Sequence, residues 1–154
     1  MVNNDVLRRV RFILDLDDSK MISIFAQADL EVTRVQVSDW LKRDEDPEFQ
    51  KCNDRQLATF LNGLINDKRG KKEGEQPKPE KTLTNNIVLR KLKIAFDLKS
   101  EDVLKLIAQT DIDLRLSKHE LSAFFRKAEH KHYRECKDQV LRNFLQGLQA
   151  QYRS

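Results

Sequence analysis

Apolar residues recur along the chain at the spacing of amphipathic helices. Val6, Val10 and Ile13 follow an i, i+4, i+7 pattern, which places them on one face of a first helix. Three further apolar series predict three more helices before residue 68. The last and clearest of these series consists of Leu57, Phe60, Leu61 and Leu64. The first 68 residues are therefore predicted to form an all-α domain of four helices.

Polar residues mark where these helices are expected to begin. Three pairs have capping-box spacing, namely Thr33 with Gln36 and Asn53 with Gln56 at the third and fourth helices, and Ser117 with Glu120 in the second half of the chain. Asn3 or Asn4 is expected to cap the first helix, because asparagine side chains accept hydrogen bonds from free helix amides. In the second half of the chain, Ser100 is expected to cap a helix in the same way.

The whole pattern occurs twice. Residues 3–30 match residues 85–112 at ten positions, and residues 33–64 match residues 117–148 at nine, after two extra residues in the second copy. Nineteen identities in 60 aligned pairs indicate a duplication, so the second copy is predicted to contain the same four helices. Each copy is near the lower size limit for a self-sufficient core. The copies are therefore expected to pack on one another or on another chain.

A charged stretch separates the copies, and the two copies differ in charge. Residues 69–83 have no apolar side chain before Leu83 and are predicted to be a solvated linker between domains 1–68 and 84–154. The first domain carries ten Lys and Arg against 13 Asp and Glu, a net charge of −3. The second carries 14 against nine, a net charge of +5, which suits an anionic partner.

Composition and missing motifs restrict the classes of function. Two cysteines and no apolar leader favour a reducing compartment, most simply the cytoplasm. No apolar run reaches the roughly 18 residues that a membrane span needs. The chain has no glycine-rich phosphate loop and no nucleophile elbow, so no cofactor, small-molecule substrate or enzymatic role is expected.

Several segments resemble a known family. The first copy opens with NN-x-VLRR. A Cys-x-Asp-x-x-Leu motif that begins at Cys52 precedes the sequence FLNGLI, and the copy closes with Lys68-Arg69-Gly70. Together they resemble the YehS-like family of bacterial proteins. The resemblance implies an all-helical bacterial protein built from two tandem copies of a domain of unknown function. It brings no catalytic or binding residues to this chain.

A helix-turn-helix interpretation is the alternative for function. Residues 19–43 and 100–127 each have a helix, a turn and a capped helix, whose second helix would enter the major groove. The residues placed near base edges would be Arg34, Gln36, Lys118 and His119. Leu30 and Glu31 occupy a turn where a small residue is usual, and the first copy is net acidic, so nucleic-acid binding ranks second to simple helical packing.

The densest positive stretch lies only in the second copy. It contains Arg126, Lys127, His130, Lys131, His132 and Arg134. These side chains could contact an acidic protein surface or phosphates. A solvated helix end, with Lys and His opposing the helix dipole, is the simpler alternative. The main hypothesis is therefore a protein-binding or scaffolding module whose partner is another protein or a second copy of the chain.

The sequence favours neither a zinc site nor a reactive cysteine. His130, His132 and Cys136 are ligand types for zinc, but a second cluster is missing. Cys52 and Cys136 occupy equivalent repeat positions, where buried packing is favoured over a reactive thiol.

Other residues recur at equivalent positions of the two copies. Gly63 and Gly147 lie inside the last helix, where glycine is unfavourable, and they predict a close helix–helix contact. Arg8 and Arg90 could each bridge to an acidic residue of their own copy or, if the two copies face each other, line the joint between them. Four aspartates are expected at helix ends or turns, namely Asp15, Asp29, Asp97 and Asp111.

Overall fold

The computed structural model describes residues 1–110 and 114–153, without the side chain of Thr110. Eight α-helices and no strand occur in these ranges, which confirms the all-α class and the four-helix content of each repeat. They are α1 Asn3–Leu14, α2 Asp18–Gln27, α3 Arg34–Leu41, α4 Asp54–Arg69, α5 Asn85–Ala95, α6 Ser100–Thr110, α7 Lys118–Phe124 and α8 Asp138–Arg153. The turn role expected for Asp111 lies outside the described residues.

The helices form two compact units, Met1–Leu83 and Thr84–Ser154. In the first unit, α2 packs mainly on α4, while α1 and α3 complete the core. The ring centroid of Phe25 lies 5.4 Å from that of Trp40 and 5.2 Å from that of Phe60, so one aromatic cluster joins α2, α3 and α4. In the second unit, α6 packs mainly on α8, with α7 against α6 and α5 against α8.

Most of the expected helix starts are confirmed. Complete capping boxes occur at three of them, formed by Thr33 with Gln36, Asn53 with Gln56, and Ser117 with Glu120. The helix ends also follow the sequence. Asp15, Asp29 and Asp97 adopt positive φ angles at or just after helix ends, a conformation that aspartate tolerates better than most residues.

Two expected caps are wrong. The N-cap of α1 is Val2, without a side-chain hydrogen bond, and Asn3 and Asn4 lie inside the first turn. Their side chains bond to a distant segment instead, which local spacing does not reveal. Ser100 is likewise the first residue of α6 rather than its cap, and the Lys99 amide before it donates to Oδ2 of Asp102 at 2.8 Å.

The glycine prediction is confirmed in both units. A Cβ atom built on Gly63 would lie 1.9 Å from the carbonyl oxygen of Ile24 on α2. A Cβ atom on Gly147 would lie 2.3 Å from the carbonyl oxygen of Leu106 on α6. Only a residue without a side chain allows α4 and α8 to approach their partner helices so closely.

The segment that follows α4 is anchored to the first unit at three points. The Lys71 ammonium lies 3.1 Å from Oδ1 of Asp29, and Nδ2 of Asn66 donates to Oε1 of Gln76 at 3.1 Å. The Leu83 amide donates to Oδ2 of Asp54 at 2.9 Å. Between these anchors most residues from 70 to 83 are exposed.

In the part of the chain that the structure describes, every helix is too short or too polar to cross a bilayer.

Candidate functional site

The basic stretch of the second copy forms the connection between α7 and α8. This connection, residues 125–137, is called the α7–α8 loop, and it contains six cationic or titratable residues predicted as a binding surface. Arg126 is half-buried, while the side chains of Lys127, His130, Lys131 and His132 are exposed. Arg134 is exposed as well, but its Nη1 lies 2.6 Å from Oε2 of Glu120. The structure therefore places all six residues on one loop, and Arg134 forms an ion pair with Glu120.

A buried asparagine on α5 holds this loop in place. Nδ2 of Asn86 donates to the carbonyl oxygens of Phe124 at 3.0 Å and Arg134 at 2.7 Å. Its Oδ1 accepts a hydrogen bond from the Cys136 amide at 2.9 Å. Both N–H groups and the oxygen of the Asn86 side chain thus bond to main-chain atoms. These bonds hold the loop backbone at its start and at its end.

Asn4 forms the same three bonds in the first copy. Its Nδ2 donates to the carbonyl oxygens of Trp40 and Gln50, both at 2.9 Å, and its Oδ1 accepts from the Cys52 amide at 3.0 Å. The neighbouring Asn3 bonds to the Cys52 carbonyl, as Asn85 bonds to that of Cys136. The repeated asparagines therefore order a loop. Their recurrence in the sequence was the signal, but it does not name the partner atoms.

A cavity of about 170 Å³ opens between α5 and the α7–α8 loop. Three of its lining residues are cationic, namely Arg90, Arg126 and Lys127. The other walls are largely apolar or aromatic, and they include Ile87, Phe124, Phe125, Ala128 and Tyr133. The cavity thus combines positive charge with a surface that favours carbon atoms.

The three cations of this cavity have no acidic partner within residues 1–110 and 114–153. No ion pair or side-chain hydrogen bond of Arg90, Arg126 or Lys127 occurs there. The Nε atom of Arg126 is buried and without a hydrogen-bond partner. Of the two roles open to Arg90, the bridge to an acidic residue of its own copy does not occur within the described residues.

In the first copy, the cations equivalent to Arg90 and Arg126 are paired with carboxylates. Nη2 of Arg8 lies 3.0 Å from Oδ1 of Asp44 and 3.5 Å from Oδ1 of Asp5, which confirms the pairing expected for Arg8. Lys42, which corresponds to Arg126, pairs with Asp39 and Glu48.

Each of these four acids is replaced in the second copy, while the cations remain. Asp5, Asp39, Asp44 and Glu48 correspond to Ile87, Ala123, Ala128 and His132. The cations at these positions are therefore paired with carboxylates in the first copy and, among the described residues, have no acidic partner in the second.

The two cysteines are buried and do not line the cavity. Cys52 and Cys136 are free and buried, which confirms the packing interpretation. Burial away from water, followed by the nearby carboxylate of Asp54, raises the pKa of Cys52 to about 12. Burial and then the carboxylate of Asp138 raise the pKa of Cys136 to about 12 as well. Both thiols stay protonated at neutral pH, and a protonated thiol is a poor nucleophile and metal ligand.

The histidines beside Cys136 face solvent. Nδ1 of His130 accepts a hydrogen bond from the His132 amide at 3.0 Å, and the two ring centroids are 5.6 Å apart. Cys136 points away into the core. Among the residues with described positions, no group of three or more His, Cys, Asp or Glu side chains is arranged to hold a metal ion.

Three of the four residues expected near DNA bases have partners inside their own repeat. Arg34 bonds to Ser19, with Asp18 nearby, and Gln36 completes the capping box of α3. The Lys118 ammonium lies 2.6 Å from Oε1 of Glu101. His119 is exposed. The helices that carry these residues have eight and seven residues, and their polar side chains mostly stabilise their own unit.

Comparison with known proteins identifies similar chains without an assigned activity. The model of a family described as protein of unknown function, DUF1456, matches residues 3–70 and again residues 85–154. The chain is 45% identical over 151 residues to the uncharacterized protein YehS of Escherichia coli strain K12. That alignment covers 97% of this chain and 96% of the relative. No solved structure matches the chain significantly.

Proposed function

The chain belongs to the DUF1456 family of bacterial proteins of unknown function, and within that family we propose that it is a non-enzymatic protein-binding module. The α7–α8 loop of the second repeat is the binding surface, and its partner is an acidic segment of another protein. Self-association through the same surface is the narrower version of this proposal.

The observation that carries the proposal is unpaired positive charge on a fixed loop. Lys127 and Lys131 are exposed and have no ion pair among the described residues. The polar side chains of His130 and His132 are exposed beside them, and the bonds of Asn86 hold the backbone that presents all four. A preordered loop loses little conformational entropy on binding, so its charges can contribute to affinity. The loop carries five Lys and Arg against Glu129 and Glu135, and this excess of positive charge attracts an acidic partner and speeds association.

The first repeat supports a protein partner over a nucleic acid. There Arg8 and Lys42, which correspond to the cavity residues Arg90 and Arg126, contact carboxylates of the same chain. Side-chain carboxylates thus already have the geometry that suits these cations. Residues 1–68 carry a net charge of −3, which would repel a phosphate backbone passing over them. Nucleic-acid binding is kept as the competing outcome of the test.

The proposal is non-enzymatic because the strongest potential nucleophiles are unsuited to reaction. Burial raises the pKa of both cysteine thiols to about 12, far from the value that activates a catalytic cysteine. The cytoplasmic location stays a prediction from the sequence.

Fluorescence anisotropy on the full chain tests the proposal. The probes are a short fluorescent peptide rich in glutamate and a short DNA duplex, each titrated at low and at physiological salt. We expect the peptide to bind and the Lys127→Glu/Lys131→Glu variant to bind it at least about tenfold more weakly, as the loss of two charge contacts predicts.

The matched control makes the same change of net charge in the first repeat. In the Arg43→Glu/Lys51→Glu variant two exposed cations are reversed, and we expect peptide affinity within about twofold of the parent chain. Absence of peptide binding at low salt, or equal losses in both variants, would remove the proposed function. Tighter binding of the duplex than of the peptide would favour the nucleic-acid alternative.

A further inference from the structure

We propose that the cavity between α5 and the α7–α8 loop binds one carboxylate carried on an apolar stem, as at the end of a protein chain with an apolar last residue. The inference rests on the proposed function, since it names the chemical group of the partner that the second repeat recognises. The cavity is the point of recognition, and the exposed cations around it attract the acidic segment.

The walls of the cavity match the two parts of such a group. Arg90, Arg126 and Lys127 supply positive charge and hydrogen-bond donors for a carboxylate. The Arg126 side chain is half-buried at this cavity and makes no ion pair or side-chain hydrogen bond within the described part of the chain, so a bound carboxylate would supply its acceptor. Ile87 and Tyr133 offer carbon surface to an aliphatic stem.

The first repeat has an intramolecular carboxylate at the equivalent arginine, where the Asp44 side chain is 68% exposed. The carboxylate of Asp44 lies against Arg8, with Oδ1 3.0 Å from Nη2, and the guanidinium carbon lies 6.0 Å from the ring centroid of Phe49. Arg90 and Tyr133 take the places of Arg8 and Phe49 in the second repeat, but Ala128 takes the place of Asp44. The truncated side chain leaves the arginine without its carboxylate, and an external carboxylate would replace it.

The size of the cavity fits a single group rather than a cofactor. Sites for drug-sized ligands measure about 300–1,000 Å³, whereas this cavity measures about 170 Å³. The apolar replacement of Asp5 by Ile87 favours a ligand with carbon atoms next to its charge.

Nuclear magnetic resonance on the isotope-labelled full chain tests this site with small probes. The probes are N-acetyl-leucine, which has a free carboxylate, its neutral amide, and inorganic phosphate. We expect N-acetyl-leucine to shift the amide resonances of residues 124–128 and the side-chain resonance of Arg90. The neutral amide and phosphate are expected to bind at least about tenfold more weakly, because each lacks one of the two matched parts.

Two variants separate recognition from folding. Ala128→Asp restores the internal carboxylate of the first repeat on an exposed loop, and we expect it to abolish binding while the melting temperature is unchanged. Arg90→Gln is expected to abolish binding too. The control Arg8→Gln makes the same change at the equivalent residue of the first repeat, and we expect full binding.

The outcomes distinguish this inference from the function on which it rests. Equal shifts with the neutral amide, equal affinity for phosphate, or unchanged binding by Ala128→Asp would each overturn the carboxylate site. If the acidic peptide still bound the loop, only this inference would fail. If N-acetyl-leucine bound and the acidic peptide did not, the site would stand and the proposed protein-binding surface would be lost.

Discussion

Gly63 lies directly against the main-chain carbonyl of Ile24, so that a Cβ atom at position 63 would lie 1.9 Å from the carbonyl oxygen. The contact joins α4 to α2, the principal helix pair of the first unit. Leu106 and Gly147 repeat the relationship in the second unit. The obstacle is backbone in both cases, and backbone cannot rotate away as a side chain could.

We expect Gly63→Ala to destabilise the first unit, although alanine favours helices by about 1 kcal/mol over glycine. Steric overlap with Ile24 would force α2 and α4 apart, and forced repacking of this kind costs about 1–3 kcal/mol or more. The free energy of unfolding from urea titration measures the net effect. Arg55→Ala on the exposed side of α4 is the control, with a change within about 0.5 kcal/mol. Unchanged stability of Gly63→Ala would mean that the helices separate freely.

Asn86→Ala is expected to destabilise the second unit by about 3 kcal/mol. It leaves the carbonyl oxygens of Phe124 and Arg134 and the Cys136 amide without their partner, and each unsatisfied buried group costs about 1–3 kcal/mol. Urea unfolding measures the loss, and hydrogen exchange of the Cys136 amide should become faster. Asn86→Asp separates hydrogen bonding from volume, because it keeps the shape but replaces a donor with an acceptor. A fully stable Asn86→Asp variant would contradict the assigned role.

The buried thiols are expected to make stability fall in alkaline solution. The pKa of Cys52 in the folded chain is raised to about 12 from its ordinary value of 9.0. The buried neutral thiol therefore contributes its full stability below pH 9, and this contribution is lost as pH rises towards 12. At pH 10 the loss is about 1.4 kcal/mol for this thiol. Urea unfolding of the parent chain and of Cys52→Ala at pH 8 and pH 10 isolates it from other titrations. Parallel losses in both chains would show that Cys52 ionises normally in the folded state.

The first repeat should gain a binding site when its internal acids are removed. In the Asp5→Ile/Asp44→Ala variant, Arg8 loses both carboxylates and acquires the surroundings of Arg90. We expect N-acetyl-leucine to shift resonances near Arg8 in this variant but not in the parent chain. Stability should change by less than about 1 kcal/mol, because ion pairs at this exposure contribute little. Asp39→Ala, which leaves both partners of Arg8, is the control and should not bind there.

Much of the fold could be predicted from local patterns. Apolar residues at helical spacing, the three capping boxes and the paired glycines identified eight helices and their closest contacts. Helical spacing and capping boxes can be recognised in the sequence because each involves residues within one or two helical turns. A glycine inside a helix indicates a close helix contact because only glycine leaves room for the neighbouring backbone. The duplication extended every such inference to the second copy. The sequence by itself therefore determined the secondary structure, the repeat and the character of the helix contacts.

Tertiary structure alone decided what the recurring polar residues do. Asn4 bonds to residues 36 to 48 positions away, and Arg8 to Asp44, 36 positions away. The spacing of residues along the chain does not indicate such distant partners, so the asparagines were expected to be caps and the role of Arg90 stayed open. Only the packing of the α7–α8 loop beside α5 shows that Arg90 has no acidic partner among the described residues. Helices form from neighbours along the chain, whereas a site depends on which side chains the packing brings together.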